Sequence, residues 1–258
     1  MHFEDLQASA QRLLQAHQTR APFAPETALQ GQPLRCAYDV QDLFQAGRSN
    51  GQALAGYKIG LTTPRMQQMC GLDHPIAGQI LSGGIRTSPV KLATSDFVRL
   101  GLECELAVRM KRTLDARNAP PSLAAVSDAV EGVCAAFEVI EDRAADYTKL
   151  DMPSLIADNS WNAGAVLSDI RPLPNLSALR GRLIINGMEA DSGSTADVLG
   201  HPLHSVQWIA THLATRDRVL EAGQWILTGS IVPTRFPKLG DVYEFQIDGL
   251  PAVSAGIL

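Results

Sequence analysis

The sequence predicts an α+β fold with a β-rich core. Two observations predict it. Apolar residues recur at spacings of three and four over residues 3–18, a pattern typical of an amphipathic helix. After about residue 80, runs with a period of two outnumber helical patterns, which indicates that strands form most of the core. The chain has 258 residues, 45% of them hydrophobic, enough for a sizeable core in one domain or one domain with a small appendage.

The N-terminal third is predicted to be mainly helical. A first helix is expected over residues 3–18 and a second over 38–45. A strand punctuated by glycines follows over 53–61. Thr63-Pro64 then favours a short helix, because threonine is a good N-cap and proline is tolerated at the first helical position.

The rest of the chain reads as strands with two helices among them. Asn186-Gly187 is the strongest hairpin signal in the sequence. The predicted elements in order are a strand over 98–110, a helix over 123–131, a strand over 134–140, a small-residue strand over 163–167, a hairpin over 183–189, a helix over 202–215 and a hairpin over 242–258.

Two glutamates one residue apart interrupt the apolar strand over 98–110. Glu103 and Glu105 share one face of this strand, roughly 6–7 Å apart along it at the usual rise per residue. The opposite face is apolar and comprises Leu100, Leu102, Cys104, Leu106, Val108 and Met110. Two like charges this close repel each other, and a divalent cation would remove the repulsion.

A third acid, Glu138, lies inside the apolar run over 134–140. Three carboxylates around one hard cation suit Mg²⁺ or Mn²⁺, because these ions prefer oxygen ligands. The alternative is that the acids form a solvated face, although the neighbours of Glu138 argue for burial. Glu141 and Asp142 are interpreted as the solvated end of this strand.

Lys58 alternates with apolar residues in a strand that should be buried, so it is expected to have an anionic partner. The alternative is an exposed lysine on an edge strand. His201 and His204 are three residues apart, and helix capping or packing is favoured over metal binding.

Composition excludes several classes of protein. The net charge is −5 and aromatic residues make up 5%, so no nucleic-acid-binding surface is expected. No run approaches the ~18 apolar residues that cross a membrane. Four cysteines occur without a CxxC pair and no export signal precedes them, so we expect reduced thiols in a cytoplasmic protein.

Six segments, in order, resemble the 2-keto-4-pentenoate hydratase group of the fumarylacetoacetate hydrolase superfamily, whose relatives include 2-oxohept-4-ene-1,7-dioate hydratases and 4-oxalocrotonate decarboxylases. The resemblance runs from about residue 35 to the C-terminus, and the order and spacing of the segments make it specific. The segments are Gly56-Tyr57-Lys58-Ile59-Gly60-Leu61-Thr62, Glu103-Cys104-Glu105, Phe137-Glu138-Val139-Ile140-Glu141-Asp142-Arg143, Ile156-Ala157-Asp158-Asn159, Leu199-Gly200-His201-Pro202 and Leu227-Thr228-Gly229-Ser230.

The resemblance implies a mixed β-sheet roll of the fumarylacetoacetate hydrolase C-terminal type with an N-terminal helical segment. We therefore divide the chain into residues 1–80, the helical segment with the first active-site strand, and residues 81–258, the catalytic core. The resemblance also implies Mg²⁺ or Mn²⁺ held by Glu103, Glu105 and Glu138.

Further site residues follow from the same resemblance. Lys58 and Asp158 are the candidate catalytic residues: the lysine would stabilise an oxyanion or relay a proton, and the aspartate would orient water or neighbouring groups. Candidate substrate-binding residues are Leu61, Asn159, Thr228, Gly229 and Ser230. The alternative for the last three, and for the Asp-Asn pair, is an ordinary turn at the end of a strand.

The chain departs from the family pattern at three positions. The hydratases carry Asp in a Pro-Asp-aromatic-Gly motif, where this chain has Ile76 and Ala77, and the decarboxylases carry Ile at the first of these positions. Trp161 stands where the family usually has a small residue, so the substrate pocket is expected to differ in shape.

The leading hypothesis is a metal-dependent lyase that hydrates a 2-hydroxy-2,4-dienoate to a 4-hydroxy-2-oxo acid in aromatic catabolism. Decarboxylation of a 2-oxo diacid comes second, favoured by Ile76, and hydrolysis of a C–C bond in an acylpyruvate third. A non-catalytic partner subunit is the rival from another class. The expected partners are a small 2-oxo acid and further copies of the chain in a homo-oligomer, with association with a family paralogue also conceivable.

Overall fold

The computed structural model describes all of residues 1–258. Six α-helices are present: α1 (Phe3–Gln18), α2 (Leu34–Ser49), α3 (Pro64–Met69), α4 (Leu123–Ala129), α5 (Met152–Ala157) and α6 (Pro202–Ala214). Twelve strands are present: β1 (Leu54–Gly60), β2 (Ile76–Leu81), β3 (Ile85–Thr87), β4 (Val90–Leu92), β5 (Leu100–Met110), β6 (Val130–Glu141), β7 (Asn162–Leu167), β8 (Arg180–Ile185), β9 (Met188–Ser194), β10 (Trp225–Arg235), β11 (Val242–Ile247) and β12 (Val253–Ile257).

The strands form two mixed sheets. The first has seven strands in the order β2-β1-β10-β5-β6-β7-β3, and the second has five in the order β4-β12-β11-β8-β9. Phe137 of β6 and Phe245 of β11 have ring centroids 6.4 Å apart, so the two sheets meet through their apolar side chains. This contact belongs to a core of 54 buried residues. The predicted α+β class with a mixed sheet and N-terminal helices is confirmed.

Both faces of the first sheet are buried along β5. The apolar face predicted from the sequence, from Leu100 to Met110 in steps of two, faces the main core. On the other face, Ala107 joins a separate cluster of seven mostly small buried residues. Glu103 and Glu105 lie on this second face, so the sheet places them in the interior of the roll instead of on a solvated surface.

One of the N-terminal helices, α2, is longer than the helix predicted from the sequence. The predicted helix over 38–45 is part of α2, which begins after Pro33 and ends at Asn50 in a left-handed conformation. The last turn of α2 carries no large apolar residue, which explains the missed C-terminal end, whereas the first turn carries Leu34, Cys36 and Ala37, so an apolar signal was present there. As predicted, Thr63 caps α3, its hydroxyl accepting the N–H of Met66 at 3.3 Å.

Strand β1 lies inside the first sheet, parallel to β10 and antiparallel to β2. Lys58 is therefore buried, and the alternative of an exposed lysine on an edge strand is wrong. The proposed division of the chain at residue 80 stays a prediction. None of the helices is both long enough and apolar enough to cross a membrane.

The interpretation of Asp142 as part of a solvated strand end is wrong. Its carboxylate is fully buried and accepts hydrogen bonds from the guanidinium of Arg99 and the hydroxyl of Tyr147. Glu141 is half-buried and accepts backbone N–H groups from Val98, Arg99 and Arg143. These acids hold the loop after β6 in place, because an ionised carboxylate at a strand end can satisfy several unpaired donors at once.

Candidate metal centre and active-site cavity

Three carboxylates converge at the middle of the first sheet. Glu103 and Glu138 are direct cross-strand partners on β5 and β6, and Glu105 follows two residues along β5. One oxygen from each of the three lies within 4.8 Å of the others. Glu105 and Glu138 are fully buried, whereas Glu103 is half-buried and lines a cavity. The sequence prediction that these three acids come together is thus met by the geometry.

The free oxygens of this acidic triad (Glu103, Glu105 and Glu138) fit a cation. Glu105 Oε2 accepts the backbone N–H of Gly229 at 2.8 Å, and Glu138 Oε1 accepts the amide of Asn162 at 2.9 Å. The remaining oxygens, Glu105 Oε1 and Glu138 Oε2, are buried without a hydrogen-bond partner in the chain. Two buried, unpartnered carboxylate oxygens facing a third carboxylate are the donor set that a hard divalent cation takes.

The pKa shifts of two triad carboxyl groups also favour a bound cation. Burial, followed by the charges of Glu138 and Glu103, raises the pKa of Glu105 well above its usual range. Burial also raises the pKa of Glu138 to about 7, against the opposing effect of Lys58. The chain alone therefore disfavours full ionisation of its own triad, and a dication would reverse that.

Lys58 completes the charge arrangement. Its Nζ lies 3.2 Å from Glu138 Oε1, and both side chains are buried. Burial alone would lower the pKa of Lys58, but the charges of Glu138, Glu103 and Glu105 outweigh it, so the pKa is raised. The carboxylates of the triad therefore favour the ammonium form of the lysine.

A cavity of about 430 Å³ opens above this centre. Lys58 and Glu103 form part of its wall, and most of the other lining side chains are apolar. These apolar residues include Leu61, Met66, Ile76, Ile140, Leu150, Leu155 and Trp161. A charged base below an apolar chamber suits a ligand with one anionic end and an apolar tail.

Of the aromatic rim of the cavity, only Trp161 was predicted from the sequence. Tyr147 packs edge-on against Trp161 at 5.4 Å between ring centroids, and Phe236 packs against Tyr147 at 6.4 Å. Arg99 stacks over the rings of Tyr147 and Phe236 while its guanidinium binds Asp142. These residues are far apart in sequence and carry no shared motif, so only the dipeptide Asp142-Arg143 could have pointed to the rim.

The predicted Thr228-Gly229-Ser230 segment lies at the centre, with three separate roles. The Thr228 hydroxyl donates to the Leu106 carbonyl, which fixes β10 against β5. Gly229 has φ of +122° and donates its N–H to Glu105, and a Cβ there would lie 2.5 Å from Thr62. Ser230 lines the cavity. A glycine is needed because the positive φ disfavours other residues and because the Thr62 side chain occupies the space that a Cβ would take.

The predicted Asp158-Asn159 pair lies outside this cavity. Asp158 is buried, and its two oxygens bind His17 Nε2 and Arg143 Nη2, both at 2.6 Å. The Asn159 side chain pairs with the backbone of Gln79, accepting its N–H at 2.6 Å and donating to its carbonyl at 2.9 Å. The structure therefore places both residues where they join α1, β2 and the loop after β6, behind the metal centre.

Two of the three departures from the family pattern form cavity wall. Ile76 and Trp161 line the cavity, and Trp161 Nε1 is buried without a hydrogen-bond partner in the chain. Ala77 instead faces α2, where its N–H donates to the Tyr38 hydroxyl and its carbonyl accepts from Gln41. Predicted substrate-binding residue Leu61 also lines the cavity, with φ of +58°. His201 caps α6 through its Nδ1, as predicted.

Comparison with known proteins finds two hydratases and a decarboxylase among the relatives of this chain. The chain is 32% identical to a 2-keto-4-pentenoate hydratase of Paraburkholderia xenovorans (95% of this chain, 92% of the relative) and 32% identical to a 2-oxo-hept-4-ene-1,7-dioate hydratase of Escherichia coli (95% of each). The structure of a 4-oxalocrotonate decarboxylase from Pseudomonas putida G7, complexed with magnesium and adipate, superposes with a TM-score of 0.93 at 27% identity, covering 100% of this chain and 99% of that one.

The fumarylacetoacetate (FAA) hydrolase C-terminal family matches residues 82–258, which include the acidic triad and ten of the twelve strands. Lys58 and the N-terminal helices precede this match, yet the hydratase relatives align over 95% of the chain. By sequence and by fold, the chain belongs to the fumarylacetoacetate hydrolase family, in which its hydratase and decarboxylase relatives are metal-dependent lyases.

Proposed function

We propose that this protein is a divalent-metal-dependent lyase that hydrates a 2-hydroxy-2,4-dienoate to a 4-hydroxy-2-oxo acid. The observation that carries the proposal is the buried acidic triad with two unpartnered oxygens, beside the Lys58 ammonium and below the cavity. The hydratase relatives, which align over almost the whole chain, support it.

The triad, Lys58 and the apolar wall of the cavity have different roles in the proposed reaction. The triad would hold Mg²⁺ or Mn²⁺, which when bound supplies Lewis-acid polarisation of a 2-oxo group. Lys58 places a fixed positive charge beside the oxygen that gains charge when the substrate enolises, and it can donate a proton there. The apolar wall excludes bulk water around this oxygen, which strengthens the effect of that charge.

The cavity wall favours a substrate with a single carboxylate. Lys58 is the one cationic residue that lines the cavity, and it is already paired with Glu138. The distal wall, formed by residues such as Met66, Leu150 and Leu155, offers no charged donor to a second carboxylate. Burying an unpaired carboxylate against such a wall is costly, so an apolar tail is preferred over a diacid.

A 4-oxalocrotonate-type decarboxylase is the second candidate. Ile76 favours it, since this buried side chain lines the cavity where the hydratase motif carries an acid. The decarboxylase structure with magnesium and adipate supports it as well. Acylpyruvate hydrolysis, a third possibility, has no comparable observation in its favour. Lys58 and the triad argue against a purely non-catalytic partner subunit, because nothing in the packing requires ionisable side chains at these four positions, three of which are buried.

A substrate panel distinguishes these activities. The protein with Mg²⁺ is given 2-hydroxypenta-2,4-dienoate and a 2-oxohexenedioate, and both dienol absorbance and CO₂ are followed. We expect loss of absorbance with the monoacid and no release of CO₂. Release of CO₂ from the diacid at a higher kcat/KM would replace hydration by decarboxylation, and no turnover of either would contradict both.

Lys58 gives a second test. Lys58→Ala should lower kcat by more than it weakens Mg²⁺ binding, since the ammonium faces the triad but is not one of its ligands. Lys91→Ala, at an exposed lysine of β4, is the matched control and should leave both unchanged. An unchanged kcat in Lys58→Ala would assign the lysine a purely structural role.

The proposal extends to the ion and the setting. Mg²⁺ and Mn²⁺ both suit an all-carboxylate site, and thermal shift with each ion would rank them. We also propose a cytoplasmic homo-oligomer, since all four cysteines are free thiols and symmetric oligomers are common among enzymes. Light scattering on the purified protein, alone and with a family paralogue, would measure the assembly.

A further inference from the structure

A second, strongly polar cavity lies behind the metal centre. It has a volume of about 190 Å³ and is enclosed by α2, the end of β2, the turn after it and the start of β7. Two arginines, Arg48 and Arg86, project their charge into it, and no carboxylate lines it. Its remaining polar wall consists of the amide side chains of Gln45, Gln52, Gln79, Asn159 and Asn162.

The two arginines lack anionic partners. Neither guanidinium has a carboxylate oxygen within the 4.0 Å of an ion pair, whereas Arg143 nearby is paired with Asp158. The hydrogen bond of Arg86 is a long one of 3.3 Å to the Gly84 carbonyl, and Arg48 stacks over the Phe44 ring at 5.2 Å. Two partly buried guanidinium groups that line one cavity without an anionic partner make it electropositive, so a bound anion would offset their charge.

A buried donor in the same wall also lacks a partner. Gln45 is 2% exposed, and its Nε2 has no hydrogen-bond acceptor in the chain. Buried amide nitrogens are almost always paired, so this one calls for an acceptor from outside the chain. Both kinds of group, the guanidinium and the unpartnered amide, are donors, and their common ligand is an oxygen-rich anion.

A neighbouring cavity of about 270 Å³ shares Arg48, Arg86 and Ala163 with the first and leads outward past Arg20. Two acids, Asp96 and Glu141, line this outer part. Glu141 is already occupied by three backbone N–H groups, which leaves the inner arginines without its oxygens. The inner cavity is therefore lined by two arginines and no acid, whereas the outer part has acidic as well as basic residues in its wall.

We propose that the arginine cavity, formed by Arg48, Arg86 and Gln45, binds a small oxyanion, a carboxylate or a phosphate, at a site separate from the metal centre. The two sites share a wall residue: Asn162 lines the arginine cavity and donates to the metal-facing Glu138. Occupancy by an anion therefore bears on the residue that orients one carboxylate of the triad. The volume suits a small molecule and is too small for a folded partner.

Isothermal titration of the Mg²⁺-loaded protein tests the proposal, with inorganic phosphate and succinate as separate probes. We expect saturable binding of at least one probe, weakened about tenfold or more in Arg48→Gln and in Arg86→Gln, from the usual strength of charged hydrogen bonds. Arg35→Gln, at an exposed arginine of the same helix α2, is the control and should bind as the parent does.

A variant of the acidic triad tests whether this site is separate from the metal centre. Glu105→Gln, which disables the acidic triad, should keep the anion binding, and any succinate that binds at the metal should be lost. Phosphate binding without succinate binding identifies a phosphate site, and the reverse identifies a carboxylate site. Absence of saturable binding by both probes, or affinity unchanged in both cavity-arginine variants, overturns the proposal whether or not the protein is a hydratase.

Discussion

Replacing Glu105 by glutamine should stabilise the metal-free protein while abolishing its response to Mg²⁺. The carboxylate is fully buried, and its Oε1 has no partner in the chain. Its Oε2 accepts the N–H of Gly229, a bond that a glutamine carbonyl can keep. The new amide group would take the place of the unpartnered oxygen and could donate to the equally unpartnered Oε2 of Glu138.

The magnitude follows from the groups involved. A buried oxygen without a hydrogen-bond partner costs about 1–3 kcal/mol. For a chain of this length each kcal/mol corresponds to about 2–4 °C, so Tm of the chelated protein should rise by about 2–12 °C in Glu105→Gln. In the parent protein, Mg²⁺ at 100 times its Kd should add about 2.7 kcal/mol, and the variant should lose this gain.

Differential scanning calorimetry with EDTA and with Mg²⁺ measures both effects. Glu131→Gln, on an exposed part of β6, is the control, and its Tm should follow the parent in both conditions. A lower Tm of Glu105→Gln in EDTA would show that the carboxylate is stabilised by the chain itself. A Mg²⁺ response retained by the variant would show that the ion binds elsewhere.

Three further perturbations follow from the structure. Burial and the charge of Arg216 lower the pKa of His212 to about 4, so its contribution to stability is full above pH 6.5 and is lost as the pH falls from 6.5 towards 4. Urea unfolding at a series of pH values should show that His212→Gln removes up to about 3 kcal/mol of this pH dependence. The control His2→Gln should leave the pH dependence unchanged. Asp158→Asn should lower the free energy of unfolding by about 3–5 kcal/mol, because it leaves the Arg143 charge buried and unpaired. The affinity for Mg²⁺, measured by calorimetry, should stay at the parent value. Loss of Mg²⁺ binding would place Asp158 in the metal centre. Trp161→Ala should lower the free energy of unfolding by about 3–5 kcal/mol. In steady-state assays it should also raise kcat/KM for long-tailed dienoates relative to short ones, because Trp161 lines the cavity. An unchanged ratio of the two kcat/KM values would exclude Trp161 from the wall of the substrate site.

The acidic triad was predictable because a period of two fixes which side chains share a strand face. Glu103 and Glu105 stand out in an otherwise apolar run, and so does Glu138 on the neighbouring strand. The fold class and most elements followed from the same periodicity and from turn chemistry. The C-terminal end of α2 did not, because its last turn carries no large apolar residue, whereas the first turn, with Leu34, Cys36 and Ala37, carried a signal that the prediction did not use.

Other features depend on contacts that no local pattern encodes. Asp142 looks like a solvated strand end in sequence, but Arg99, on the neighbouring strand segment, makes it a buried ion pair. The resemblance suggested that Asp158 orients water or neighbouring groups and that Asn159 binds the substrate. It did not reveal their partners His17, Arg143 and Gln79, which come from distant segments. Tertiary partners decide where a polar side chain points, and sequence spacing does not reveal them.

The position of Glu138 explains why so many buried charges persist in one sheet. Its carboxylate touches Lys58 on one side and Asn162 on another, and its free oxygen faces the triad. Well-packed apolar residues in these places would cost the fold nothing and often stabilise it, because desolvated charges rarely repay their burial. A hard cation held by the triad beside the Lys58 ammonium would offset that cost, so the metal-dependent function that we propose accounts for the arrangement.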